Sequence, residues 1–134
     1  MRNNRSLGHN TERSIIKKIA DTLGLEAFNG KNHSTFQIGS TRLMSKLLDA
    51  LKIDISFQNT KHPISKCSIQ IKHCTTTTKK IDVSHLDTIE GDNRILITVT
   101  SEKKKDRYYK TGEYVTISLD DYLKLIKDVG NTKD

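Results

Sequence analysis

Between Asn10 and Leu23 the chain alternates apolar and charged residues with the spacing of an amphipathic helix. The apolar side consists of Ile15, Ile16, Ile19, Ala20 and Leu23. Asn10 or Thr11 can cap the start, and Gly24 follows the end, where a left-handed residue often sits. The pattern predicts a helix that packs its apolar side into the core.

Three further segments have helical features: Thr41–Leu51, Asp82–Glu90 and a closing helix that begins at Ser118 or Leu119. The closing helix has an apolar side formed by Tyr122, Leu123, Leu125 and Ile126. We expect this side to face the core as well, with any apolar surface left over available for contact between two copies of the chain.

Period-two alternation marks the two clearest strands. In Lys52–Phe57 and again in Cys67–Cys74, apolar residues alternate with polar ones. Shorter strands are predicted at Leu25–Phe28, Arg94–Thr100 and Glu113–Ser118.

Polar segments connect these elements. The predictions are a long, mobile loop at Asn29–Ser40, a hairpin connection at Gln58–Lys66 and a charged loop at Ser101–Gly112. Residues 1–9 are predicted to form a basic N-terminal arm, residues 10–128 the folded domain and residues 129–134 a flexible tail.

The length of 134 residues supports a single domain. Helices before, between and after the strands favour a mixed β-sheet flanked by helices, in the α/β or α+β class. No apolar run approaches the roughly 20 residues that span a bilayer, so we expect no contact with a membrane and no secretory signal.

Charge and cysteine content narrow the class of function. The chain has 23 basic and 16 acidic residues, a formal net charge of +7, which favours a polyanionic partner such as nucleic acid. Cys67 and Cys74 are too few for a disulfide framework, so we expect a reducing compartment, the cytoplasm. Their spacing matches no zinc motif, and Cys67 shares a strand face with Ile69, which favours a small core residue.

The polar faces of the two alternating strands carry Asp54, Gln70 and Lys72. Antiparallel pairing of these strands across a hairpin would bring the two faces side by side, because residues two apart on a strand point the same way. A carboxylate, an amide oxygen and an ammonium group would then converge at one edge of the sheet.

These residues and their surroundings resemble the PD-(D/E)XK nuclease superfamily, in particular Holliday-junction resolvase-like proteins and small phage-encoded nucleases. The resemblance extends from Gly8 to Ile126 and depends on the order of several short motifs. They are GHNTER (Gly8–Arg13), STR (Ser40–Arg42), DALKIDI (Asp49–Ile55), IQIK (Ile69–Lys72), the strand Arg94–Thr100 and the closing strand and helix around Tyr114 and Tyr122. It implies a restriction-endonuclease-like core with the element order αβββαβ.

The resemblance implies a Mg²⁺-dependent nuclease site, in which Mn²⁺ could replace Mg²⁺. The implied catalytic residues are Glu12, Asp54, Gln70 and Lys72, and the implied metal ligands are Glu12, Asp54, Gln70 and the backbone carbonyl of Ile71. The resemblance also implies Asp49 as an auxiliary acid. Lys72 would orient the attacking water and stabilise negative charge that develops on the phosphate. Gln70 departs from the family pattern, which has Glu or Asp there, and the missing charge implies a weaker metal site.

Basic residues form three runs around the implied site, a pattern that favours contacts with backbone phosphates. The predicted DNA-binding residues are Arg2, Arg5, Arg13, Arg42, Lys79, Lys80, Lys103, Lys104 and Lys105. Aromatic residues make up only 5% of the chain, which argues against a platform that stacks single-stranded bases.

The implied function is a structure-selective DNA endonuclease, in particular a homodimeric Holliday-junction resolvase that acts on branched DNA. Two alternatives share the fold. One is a catalytically silent DNA-binding protein, which Gln70 favours. The other is a restriction-type endonuclease that cuts duplex DNA, and the sequence does not separate it from a resolvase because loops and the dimer set the substrate.

Overall fold

The structure, a computed structural model, describes residues 4–75 and 81–131, with side chains from residue 9 onward in the first range. It is a mixed α+β fold, as the sequence predicts. In chain order the elements are α1 (Asn4–Leu23), β1 (Ile38–Ser40), α2 (Thr41–Met44), α3 (Lys46–Ala50), β2 (Ile55–Phe57), a 3₁₀ helix (Pro63–Lys66), β3 (Ser68–Thr75), α4 (Ser84–Asp87), β4 (Arg94–Lys104), β5 (Arg107–Ile117) and α5 (Leu119–Asn131). Within these ranges no helix has the length and apolar character needed to cross a membrane.

The strands form two sheets. β1 and β2 pair antiparallel, while β3, β4 and β5 form a mixed sheet in that order, with β3 and β4 parallel and β4 and β5 antiparallel. The predicted hairpin between the two alternating strands is therefore wrong. β2 takes its partner from the segment predicted to be a loop, because Phe36 and Ile38 in that segment are apolar and almost fully buried.

The core occupies both faces of the three-stranded sheet. On one face, α1 packs its apolar side against alternate residues of the strands; the buried members are Ile15, Ile16, Ala20, Ile69, Ile71, Ile95, Ile97 and Val99. On the other face, Leu96 packs with Ile53, Leu86 and Ile89. Since Gln70 is paired with Leu96 across the parallel strands, Gln70 and Lys72 lie on this second face.

Several element boundaries differ from the predicted ones. α1 begins at Asn4, six residues before the predicted start and inside the segment predicted to be an arm. The predicted helix Thr41–Leu51 is two short helices, because Ser45 adopts an extended backbone between them and its hydroxyl accepts a hydrogen bond from the N–H of Leu48. The predicted strand Leu25–Phe28 is reduced to a single bridge at Ala27, and the predicted helix Asp82–Glu90 is reduced to α4.

The predicted charged loop Ser101–Gly112 is instead a β-hairpin. β4 continues to Lys104 and β5 begins at Arg107, with a two-residue turn between them. Lys105 and Asp106 both have positive φ, which is the backbone of the tight turns that match the twist of a two-stranded ribbon. Backbone pairing thus extends the sheet into residues whose charge had suggested a loop.

α5 begins where the sequence predicts, but its apolar side faces solvent. Of its four predicted core residues only Leu125 packs against the core, while Tyr122, Leu123 and Ile126 are exposed. The prediction that this side faces the core is wrong because the helix rests on the 3₁₀ helix rather than on the open face of the sheet. α5 also continues to Asn131, three residues into the segment predicted to be a flexible tail.

Candidate active site

Asp54 lies just before β2 and against the edge of β3 that does not pair with β4. Its N–H donates to the carbonyl of Ile69 at 2.7 Å, and its Oδ2 accepts from the N–H of Ile71 at 2.7 Å. The buried Thr41 fixes the other side, since its N–H donates to the Asp54 carbonyl and its hydroxyl donates to the Ile53 carbonyl. These four hydrogen bonds define where the carboxylate sits.

Burial is the main electrostatic influence on this carboxylate and raises the pKa of Asp54 to about 6. The hydrogen bond from Ile71 lowers the pKa, the negative charges of Glu12 and Asp49 raise it further, and the positive charge of Lys72 lowers it. Three of the predicted site residues therefore lie near enough to Asp54 to act on its charge: Glu12, Asp49 and Lys72. They do so although the hairpin expected to assemble the site does not form.

Glu12 reaches this place from α1 and forms an ion pair with Arg42 at the start of α2. Its Oε1 lies 3.4 Å from Nε of Arg42, and the two side chains are 15% and 33% exposed. Arg42, predicted to contact phosphate, thus has a carboxylate partner within the protein. The pair joins α1 to the segment that carries Thr41 and so to Asp54.

Gln70 is buried, with 4% of its surface exposed. Its Oε1 accepts a weak hydrogen bond of 3.4 Å from the hydroxyl of Thr88. Among the described contacts, none joins the Gln70 side chain to Asp54 or Lys72, so the predicted set is only partly assembled around Gln70. Sequence reasoning did not select Thr41 or Thr88, because a single threonine beside a short helix has no pattern that marks it as a site residue.

Two of the predicted metal ligands carry carboxylates, which are the groups that hard cations prefer. Asp54 and Glu12 offer two carboxylates whose mutual repulsion a bound dication would relieve, and Asp54 has one oxygen engaged by Ile71 and the other outside that bond. No group of three or more His, Cys, Asp or Glu side chains suited to a metal occurs in the part of the chain that the structure describes. A site with two carboxylates suits Mg²⁺, which keeps several of its waters.

The hydroxyl group of Ser40 is a further polar group near the site. Ser40 pairs with Ile55 next to Asp54, and its buried hydroxyl oxygen has no hydrogen-bond partner within residues 9–75 and 81–131. A buried polar atom in this condition is costly unless a water or a ligand satisfies it. The surroundings of Asp54 therefore have unused hydrogen-bonding capacity.

The predicted DNA-binding residues lie on different elements of the fold. Arg13 is exposed on α1, and Lys103, Lys104 and Lys105 are exposed at the tip of the β4–β5 hairpin. Within the described residues β3 pairs with β4 as far as Ser101, and the tip of the hairpin lies beyond that pair. Three residues lie outside the described part of the chain and a fourth has its side chain outside it: Arg2, Lys79, Lys80 and Arg5.

The cysteines do not contribute to the site. Cys67 is buried in the core beside Ile69, which confirms the prediction that it is a small core residue. Burial raises the pKa of the Cys67 thiol to about 11, so the reactive thiolate is disfavoured.

No protein-family model, no curated protein and no solved structure matches this chain. What the chain does is therefore inferred from the geometry and chemistry around Asp54.

We predict that Asp54→Asn stabilises the protein at pH 7.5. Because the carboxyl has a higher pKa in the folded than in the unfolded chain, the native state binds more protons between about pH 4 and 6 and wild-type stability falls as pH rises through that window. The difference of about two pKa units corresponds to at most about 3 kcal/mol. Asparagine keeps an oxygen for the Ile71 N–H and has no charge to bury.

The measurement is urea unfolding of both proteins at pH 4 and pH 7.5. The stability difference between them should be small at pH 4 and favour the variant at pH 7.5. Asp21→Asn, on the exposed side of α1, serves as the matched control and should show no such dependence. A wild type that gains stability relative to Asp54→Asn as the pH rises would contradict the burial of this carboxylate.

Proposed function

We propose that this chain is a Mg²⁺-dependent DNA endonuclease of the PD-(D/E)XK type that acts on branched DNA. The observation that carries the proposal is the interaction of Glu12, Asp49 and Lys72 with the partly buried carboxylate of Asp54. These residues come from α1, α3 and β3, which are distant in sequence. With the short α2, α3 and 3₁₀ helix set aside, the order from α1 to β4 corresponds to the αβββαβ order that the resemblance implies.

Each residue has a distinct role in this proposal. Asp54 and Glu12 would hold the ion, with the carbonyl of Ile71 and the amide of Gln70 as further oxygen donors. When bound, Mg²⁺ supplies Lewis-acid stabilisation of charge on the phosphate. Lys72 would orient the water that attacks phosphorus and stabilise the negative charge that develops on the phosphate oxygens.

The pKa of Asp54 suits such a role. At a pKa of about 6 the carboxylate is mostly ionised at pH 7 although it is partly buried. Its ionised form in the protein alone is disfavoured by burial and by two neighbouring acids, so a cation at this place gains from relieving that repulsion. The site is thus poised for a cation before DNA arrives.

Exposed basic residues supply the contacts to DNA in this proposal. The hairpin tip carries Lys103, Lys104 and Lys105, and Arg13 lies on α1 next to Glu12. Phosphate contacts of this kind position a duplex without reading its sequence, as expected of an enzyme selective for structure. A four-way junction, which two symmetric copies can engage, is the substrate we propose.

Cleavage of labelled four-way junction in Mg²⁺ tests the proposal, with linear duplex as the comparison substrate. Wild type should cut the junction. Asp54→Asn should lose activity by a factor of about 10³ or more, and Lys72→Ala by about 10² to 10⁴, the usual contribution of a group that assists proton transfer or charge stabilisation. Asp21→Asn is again the control and should cut like wild type. Equal cleavage by Asp54→Asn and wild type would refute the proposed site.

A catalytically silent DNA-binding protein is the second candidate, and Gln70 favours it. Its side chain is buried, uncharged and engaged with Thr88, so it adds less to a cation site than the acid found there in the family. Salt-sensitive binding of DNA without cleavage by wild type in Mg²⁺ or Mn²⁺ would favour this candidate.

Gln70→Glu separates the two candidates. If the position lies in a cation site, the variant should show tighter Mg²⁺ binding and a larger rise in thermal unfolding temperature on adding Mg²⁺ than wild type. If it lies outside such a site, the new carboxylate is buried without a partner and the variant should be destabilised by several kcal/mol, with no rescue by Mg²⁺. Thermal unfolding with and without the ion gives the answer independently of cleavage.

The hairpin tip is tested by replacing Lys103, Lys104 and Lys105 together with alanine. If all three contact phosphates, the slope of log affinity against log salt should become shallower by up to about 2.7, because each contact contributes about 0.9. Affinity for junction, measured by fluorescence anisotropy across salt concentrations, gives this slope. The control triple variant changes three exposed lysines elsewhere: Lys17, Lys31 and Lys61. An unchanged slope in the hairpin variant would exclude the tip from the DNA interface.

A further inference from the structure

α5 is amphipathic but rests on the protein with its less apolar side. The positions nearest the body of the protein are Asp121, Leu125 and Asp128, which lie beside the 3₁₀ helix. The apolar stripe on the outer side has exposures between 41% and 69% and consists of Leu119, Tyr122, Leu123, Ile126 and Val129. Large apolar side chains at i, i+3, i+4 and i+7 form a continuous surface that a lone protein rarely leaves in water.

We propose that this stripe is the surface through which two copies of the chain associate, with the two α5 helices antiparallel across a twofold axis. A helix of 13 residues is about 20 Å long, so the stripe extends along most of it. An isologous contact lets one patch cover itself, which suits a surface whose apolar residues are evenly spread along the helix.

Charges beside the stripe select the antiparallel arrangement. Asp120 and Lys127 are both exposed and are seven residues apart, so they lie on the same flank of α5, two turns from each other. In an antiparallel pair centred between Leu123 and Lys124, Asp120 of each copy is level with Lys127 of the other. A parallel pair related by a twofold axis would instead place the same flank of the two helices on opposite sides of the contact, so that Asp120 and Lys127 would not meet across it.

The same charges argue against a membrane as the partner. α5 contains three aspartates and two lysines, whereas helices that lie on membrane surfaces are rich in Lys and Arg on the polar side. A second copy of this chain, which brings both signs of charge in the required positions, fits better.

This inference does not depend on nuclease activity. If the protein cuts DNA as a monomer, the proposed dimer is wrong and the proposed active site stands. A dimer that cuts nothing would leave the interface as proposed and overturn the nuclease.

The test is sedimentation of the full chain and its charge variants over a range of concentrations. Wild type should be a dimer. Asp120→Lys and Lys127→Asp should each weaken the dimer by about tenfold or more, because each creates two like-charge pairs. Mixing the two single variants should restore a dimer, since both pairs between them are then of opposite sign, and the double variant should also dimerise.

Two further variants control this result. Lys124→Asp changes charge by the same amount on the side of α5 opposite the stripe and should dimerise like wild type. Leu123→Asp should be monomeric with unchanged circular dichroism. Leu123 is 54% exposed, so its replacement should disturb the packing of the monomer little.

Three results would overturn the proposal. One is a wild type that stays monomeric at all concentrations, and another is a dimer that Leu123→Asp leaves intact. The third is a failure of the two single charge variants to pair when mixed. A monomer whose α5 binds phospholipid vesicles would assign the stripe to a membrane instead.

Discussion

The hydrogen bond from the Ile71 N–H to the Asp54 carboxylate is the contact on which the arrangement of the two sheets depends. Together with the bond from the Asp54 N–H to Ile69, it attaches the β1–β2 pair to the edge of β3, where a regular strand ladder is absent from the described pairing. A side chain thus replaces part of a backbone ladder. Because this carboxylate is held between two sheets, it is partly buried, and this burial is the main cause of its raised pKa.

This construction links stability to function. An ionised carboxylate beside Glu12 and Asp49 is unfavourable in the protein alone, and only Lys72 and the Ile71 N–H oppose that cost. Proteins retain such arrangements where a ligand or a reaction uses them, and an uncharged residue here would be better for folding. The same carboxylate would serve the proposed nuclease as its principal metal ligand, so a residue whose charge is unfavourable for folding is one that the proposed chemistry uses.

The distribution of apolar surface extends this reasoning from the site to the assembly. α1 buries its apolar side against the sheet, while α5, the more amphipathic helix, leaves its stripe exposed. If the stripe forms a twofold contact, each dimer carries two Asp54 sites and two basic hairpins related by symmetry. That arrangement would suit a substrate with twofold symmetry of its own, such as a four-way junction.

The local pattern of apolar and polar residues was sufficient to predict the secondary-structure elements that have a strong periodicity. The helical repeat before Leu23, the alternation that places Gln70 and Lys72 on one face, and the start of α5 all follow from interactions within a few residues. The acids and the lysine around Asp54 were also selected as candidates from the sequence, because residue type and order are properties of the sequence itself. The partner of β2, the continuation of β4 into a charged hairpin and the outward side of α5 were not. Those depend on which distant surface is available to pair with a strand or cover an apolar face, and only the tertiary structure decides that.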